Sequence, residues 1–212
     1  MSIIPVVLLS SYTFLARPRS MYICPRLIGH AASGHYLQVK LVGNLIHGHA
    51  LVLHMVYPQV ADDANLMCHC MDSSIEVLKT VRSAKGQPEY LPTNWRSQLD
   101  GVSTNWGSTS FAHHEYLHRL RVLGDVVDIV RNKVGSTHED IDAVFGILKE
   151  HLRFKDCMTP FDLKRELEEA LKTYALPVYI IDVDCVFDYK AFYAPHVDAR
   201  LEGYGYSADT DG

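Results

Sequence analysis

Tyr36-Leu-Gln-Val-Lys-Leu-Val-Gly-Asn-Leu45 and Ala50-Leu-Val-Leu-His-Met-Val-Tyr57, joined through His47-Gly48-His49, decide the architecture. The first run alternates in part between apolar and polar residues. The second is nearly continuous apolar, and Pro58 closes it. Two such runs joined by a short Gly-containing turn read as adjacent antiparallel strands. Upstream, Ile3–Leu9 and Ser11–Leu15 are β-rich, and the Pro-broken Arg17-Pro18-Arg19 and the short apolar Met21–Cys24 follow them. The chain therefore opens on a set of antiparallel strands.

Downstream the period changes. Asn65 to about Ser83 reads as a helix with Leu66, Cys70, Val77, Leu78 and Val81 facing inward. Tyr90–Leu99 reads as a strand that Asp100-Gly101 ends, and Ser103–Ser110 as a polar loop. Phe111–Leu123 reads as a second helix stopped by Gly124, and Val126–Val130 as a β-branched strand. A third helix starts at Thr137 as N-cap, with Ile141, Val144, Phe145, Leu148 and Leu152 spaced i, i+3, i+4, i+7. Thr159-Pro160, with Asp162 in the first turn, opens a fourth helix reaching about Tyr174. Val178–Val183 is a strand, Val186–Tyr193 a short helix, and residues 196–212 a polar tail after a single domain spanning 1–195.

Composition bounds the function. The 212 residues, 48% of them hydrophobic, suffice for one sizeable core. A net charge of −5 gives no general attraction to nucleic acid, so a DNA-binding surface has to be a local patch. Five cysteines without framework spacing suit a reducing compartment, and an intracellular location, nuclear or cytoplasmic, is expected. No apolar run approaches the ~20 residues that cross a bilayer.

The order β-β-β-α-β-α-β-α is α/β with three antiparallel strands first, and it resembles a ribonuclease H-like mixed sheet flanked by helices. That fold gathers carboxylates around paired divalent ions, which activate a nucleophile and stabilise the leaving oxygen of a phosphodiester. Ionisable residues concentrate at His138-Glu139-Asp140 and Asp142, on the first turn of the third helix, and Asp100 stands at the end of the fourth strand. Read locally, an acidic first turn simply complements the helix dipole, and Asp-Gly is an ordinary turn.

A resemblance gives these residues a further reading. GSTHEDID at Gly135–Asp142 resembles the GHTHEDID signature of an uncharacterised, transposon-derived domain. Gln98-Leu99-Asp100-Gly101 resembles its QLDN motif, Gly43–Gly48 its G-x-x-x-HG strand, and Val186–Tyr193 its D-W/Y-K segment, over roughly residues 20 to 195. The resemblance implies a transposase- or integrase-like domain with Asp100, His138, Glu139 and Asp142 as active-site residues. Asp100, Glu139 and Asp142 would be ligands for Mg²⁺ or Mn²⁺, the ions that oxygen donors suit. Arg131 and Lys133, just before the signature helix, could meet phosphate together with helix N-terminal amides.

The departures are equally informative. Ser136 replaces a histidine of the signature, and Gly101 replaces the asparagine of QLDN. No Asp or Glu precedes Asp62, so the first-strand carboxylate of the fold is missing unless Asp62 or Asp63 substitutes. We therefore expect a fragmentary domain, ancestrally a metal-dependent DNA strand cleavage and transfer enzyme, without detectable cleavage in this form. The alternatives are a non-catalytic module binding nucleic acid or protein, and a hydrolase using transition metals on histidines. For the latter, His114 and His118 are spaced i, i+4 on a helix expected to be solvated. Cys68-His69-Cys70 offers soft donors, but at about 100° per residue its two thiols point about 200° apart. Asp182 and Asp184 alternate with Val183 and should share one face.

Overall fold

The computed structural model describes residues 6–10, 39–88, 94–99, 107–131, 140–153, 155, 157 and 159–197. The elements are β1 (Val6–Ser10), β2 (Lys40–Ile46), β3 (Ala50–Val56), α1 (Ala64–Ala84), β4 (Asn94–Leu99), α2 (Ser108–Arg119), β5 (Val126–Arg131), α3 (Asp140–Leu152), α4 (Pro160–Ala170), β6 (Val178–Val183) and α5 (Tyr189–Tyr193). A 3₁₀ turn follows over Ala194–His196. The second expected N-terminal segment, Ser11–Leu15, and residues 198–212 of the tail lie outside the described residues. Among the described residues no helix is long and apolar enough to cross a membrane.

The six strands form one mixed sheet in the order β5-β4-β1-β2-β3-β6. The β2–β3 hairpin that the sequence announces is present, with Gly48 at φ 73° in its turn, a conformation open to glycine and strained for other residues. β1 and β3 each run antiparallel to β2, and β4, β5 and β6 join in parallel. β1 is thus a central strand, whereas β6 extends the sheet beyond β3.

Strand alternation splits the core in two. Ile46, Ala50 and Val52 pack with Trp95 and Leu99 of β4 against α1 and α2. Leu41, Leu45, Leu51, Leu53 and Met55 face the other way, against α3 and α4. On the α1 side the buried core draws on β2 to β6; on the α3 side it draws on β2, β3 and β6, and no described residue of β4 or β5 joins it.

Helix ends follow their caps. Asp63 caps α1 by accepting from the Asn65 and Leu66 amides. Thr159 and Asp162 form a reciprocal capping box at α4. α4 stops at Ala170 rather than near Tyr174, and Leu171, Tyr174 and Leu176 continue as turns that still pack on the core. α2 begins at Ser108, inside the expected polar loop, because Gly107 serves as its N-cap. It ends at Arg119, since Arg121 adopts φ 55° and breaks the helical path. The short last helix begins at Tyr189, where the Asp188 carboxylate accepts the Ala191 amide. Thr137, the expected cap of α3, lies outside the described residues.

Candidate functional site

α3 buries Ile141, Val144, Phe145, Leu148 and Leu152, the stripe that the sequence predicts. It crosses the sheet at Gly43 of β2. A Cβ built on Gly43 would stand 2.9 Å from the Phe145 ring and 3.0 Å from Ile141 Cδ1, so only glycine lets the helix approach this closely without repacking. The glycine of the Gly43–Gly48 motif therefore has a packing role: it sets the seat of α3.

That seat fixes the height of the first turn of α3. Gly43 pairs with Ser10 at the end of β1, and Leu9 pairs with Leu99, the last residue of β4. Ile141 and Phe145 thus straddle the level at which β4 ends. Asp142 lies between them on the chain. His151 of α3 bonds Glu166 of α4 at 3.1 Å. Nine residues earlier, at about 100° per residue, Asp142 lies roughly half a revolution away, on the flank turned from α4. α4 stands beside β6, where Lys164 bonds Asp182, so the opposite flank faces the β1–β4 side of the sheet.

Both carboxylate oxygens of Asp142 are shut off from solvent and have no hydrogen-bond partner among the described residues. A desolvated carboxylate without a donor costs free energy unless a proton or cation compensates it. Its oxygens suit a hard divalent ion. Of the other expected site residues, Asp100, Lys133, His138 and Glu139 lie outside the described residues. Asp100 is the residue after Leu99 in the chain, and Arg131 closes β5 opposite Leu99. Among the described residues no three His, Cys, Asp or Glu side chains converge on one point.

Asp62 and Asp63, the expected stand-ins for a first-strand carboxylate, have other engagements. Asp62 pairs with Lys40, and Asp63 is committed to the α1 cap, both just beyond β3. The β4–β5 face on the α3 side carries an Arg96–Asp128 ion pair at 3.1 Å, flanked by Val126 and Val130, which are 49% and 39% exposed.

The other polar clusters depart from their sequence reading. His113 and His114 are not on a solvated face: they are 2% and 3% exposed. α2 is wedged between α1, the sheet and α5, which a single helical pattern does not reveal. His114 donates from Nδ1 to the Ser110 carbonyl (2.8 Å) and takes the Ser97 hydroxyl at Nε2 (2.9 Å). Burial lowers its pKa to about 4, although the Ser110 bond opposes that shift. His113 bridges Asp72 and the Tyr193 hydroxyl, both at 2.9 Å, while Tyr189 donates to Asp72 at 2.6 Å. Burial, reinforced by Asp72, pushes the Tyr189 phenol well above its ordinary range. This network pins α5 to α1 and α2, and sequence reading missed it. Its one legible trace is the aromatic density of Tyr189-Lys-Ala-Phe-Tyr193. His118 bonds the Gly124 carbonyl at 3.0 Å.

Cys68 and Cys70 are both buried and unbridged on different flanks of α1. Cys70 packs with Val42, Val56, Leu66 and Val183. Asp182 does not gather carboxylates: it accepts from Tyr57 (2.8 Å) and Lys164 (2.9 Å), while Asp184 lies beyond the strand. Partial burial works against ionisation of Asp182, but the Lys164 and Tyr57 bonds hold its pKa below the usual value.

A family model described as "Domain of unknown function (DUF7869)" matches residues 30–205. No curated protein and no solved structure matches the chain.

Proposed function

The chain belongs to the family of the domain of unknown function DUF7869, and from that premise we propose that it is a ribonuclease H-like domain descended from a transposase or integrase, directed at DNA. The strand order supports this reading. β3-β2-β1-β4-β5, with the first three strands antiparallel and the next two parallel to β1, is the arrangement expected of such a core. β6 is an addition at its edge. The motif resemblance over residues 98–101 and 135–142 points the same way.

The observation that carries the proposal is the pair of Asp142 oxygens without a partner among the described residues, in the first turn of the helix seated at Gly43. Asp142, with Asp100 and Glu139, would hold Mg²⁺ or Mn²⁺, and His138 would stand beside them. When bound, such ions supply charge neutralisation and nucleophile activation at a phosphodiester. Arg131 and Lys133 would meet the phosphate backbone near the start of α3. The described strand β1, Val-Val-Leu-Leu-Ser, brings no carboxylate, so the ligand set is one short. The proposal is accordingly a metal-binding remnant of a strand-cleaving enzyme, acting inside the cell as a nucleic-acid-binding module. The hydrolase alternative loses support, because both ring nitrogens of His113 and of His114 already have partners.

The deciding experiment is a thermal melt of the full chain with and without Mn²⁺, for the parent, Asp142→Asn and Asp100→Asn. Metal should raise the melting temperature of the parent and of neither variant. An equal rise in Asp142→Asn overturns the site. DNA cleavage with Mg²⁺ or Mn²⁺ should be undetectable, and robust cleavage abolished by Asp100→Asn would restore a competent enzyme.

A further inference from the structure

The sequence Met67-Cys-His-Cys-Met71 is not used by the site on α3, which packs on the other side of the sheet. Met67, Cys68 and Met71 line a cavity of about 10 Å³ between α1 and α2, and His113 and His114 form its far wall. The space is at the lower limit for one water molecule. Three sulfur-bearing residues of a single helix line it: Cys68 and Met71 lie one turn apart, and Met67 is one turn before Met71.

We propose that this cavity is a binding site for one soft monovalent metal ion, Cu(I), held by the Cys68 thiolate and the thioethers of Met67 and Met71. Thiolate and thioether donors select Cu(I) over hard ions. Zinc is a poor occupant, since it takes four nitrogen, sulfur or oxygen ligands and the imidazole nitrogens here are spoken for. Charge favours a monovalent ion. On binding, the Cys68 S–H bond breaks, an S–Cu bond forms, and the proton leaves to solvent, so the buried complex is neutral and needs no counter-ion. No oxidation state changes. Burial, with Asp72 and Asp63 nearby, disfavours a bare thiolate at Cys68, so the sulfur carries either its proton or the metal ion. Cys70, about 200° round the helix against the sheet, is excluded from the cavity and provides an internal control.

The test is a titration of the reduced full-length chain with Cu(I) alone, without oxygen, against a chromogenic Cu(I) chelator. One ion per chain should be retained. Cys68→Ser should weaken binding about 100-fold and Met67→Leu/Met71→Leu about 10-fold, the range that loss of site groups commonly costs. Cys70→Ser and Cys185→Ser should bind as the parent does. Failure of the parent to hold Cu(I), or unchanged affinity in Cys68→Ser, overturns the proposal. Should Cys68→Ser not fold, methyl NMR of the parent with Ag(I) decides. The Met67 and Met71 methyl signals should shift while that of Met55, across the sheet, stays in place. Unshifted Met67 and Met71 signals overturn it.

Discussion

The two faces of the sheet differ in how many polar groups they bury and in how those groups are partnered. Against α1 and α2, His54, His113, His114 and Ser97 are buried, and each finds a partner: His54 the Ser73 hydroxyl (2.7 Å), His114 the Ser97 hydroxyl, Ser97 the Trp95 indole N–H (2.8 Å). Asn44 donates to the Cys70 carbonyl and to Ser74, and its carbonyl oxygen, with His49 Nδ1 beside the Arg82–Lys85 end of α1, is left unpaired among the described residues. Against α3 the order reverses. The contact is apolar and tight, and Asp142 in the first turn of α3 has neither oxygen satisfied among the described residues. Saturated polar groups lock elements together; an unsatisfied carboxylate at a strand end is available to a ligand.

If the α1 face is a closed network, acid should open it first. Burial lowers the pKa of His54 and of His114 to about 4, against an ordinary 6.5. Both stay neutral in the fold, whereas the unfolded chain takes up protons near 6.5. Stability is therefore full above about pH 6.5 and falls as pH drops toward 4. Linkage puts the loss at about 2 kcal/mol for each histidine by pH 5. Urea unfolding between pH 7 and 5 should show it, and His114→Gln should reduce the slope. A flat profile would mean that these imidazoles are not held neutral.

The tight seat on the other face is broken by size. Gly43→Val forces the Phe145 ring and Ile141 from their places and should cost roughly 3 kcal/mol. Phe145→Leu in the same chain should recover part of that loss, because the two sites share one contact. Additive losses in chemical denaturation would place the strain elsewhere.

A smaller effect separates capping from packing. Thr159→Ala removes the α4 box and should cost about 1 kcal/mol, with Thr159→Ser nearly neutral. Thermal melts of both variants measure it.

The smallest expected change sharpens the comparison most. Without metal, Asp142→Asn relieves a desolvated carboxylate but also removes a negative charge from the first turn of α3, and these terms offset to within about 1 kcal/mol. With Mn²⁺ at ten times its dissociation constant the parent should gain roughly 1.4 kcal/mol and the variant nothing. A metal-free loss well above 1 kcal/mol in denaturant titrations would show Asp142 to be a structural group.

Local pattern alone determined much of this protein. The β2–β3 hairpin, the inward stripes of α1 and α3, the capping box of α4 and the run Val178–Val183 all follow from alternation, helical period and cap chemistry, which act within a few residues. The grouping of Asp142 with its acidic neighbours was likewise visible in the chain. Tertiary structure decided the rest. His113 is buried where α5, some 75 residues later, packs its tyrosines on it, and His114 where α2 meets Ser97 of β4. Gly43 is required because a helix a hundred residues away rests on it. Asp182 became half of an ion pair with Lys164 and an acceptor for Tyr57, neighbours that no local period encodes. Whether a polar group is satisfied depends on what packs against it, and that is a property of the assembled layers.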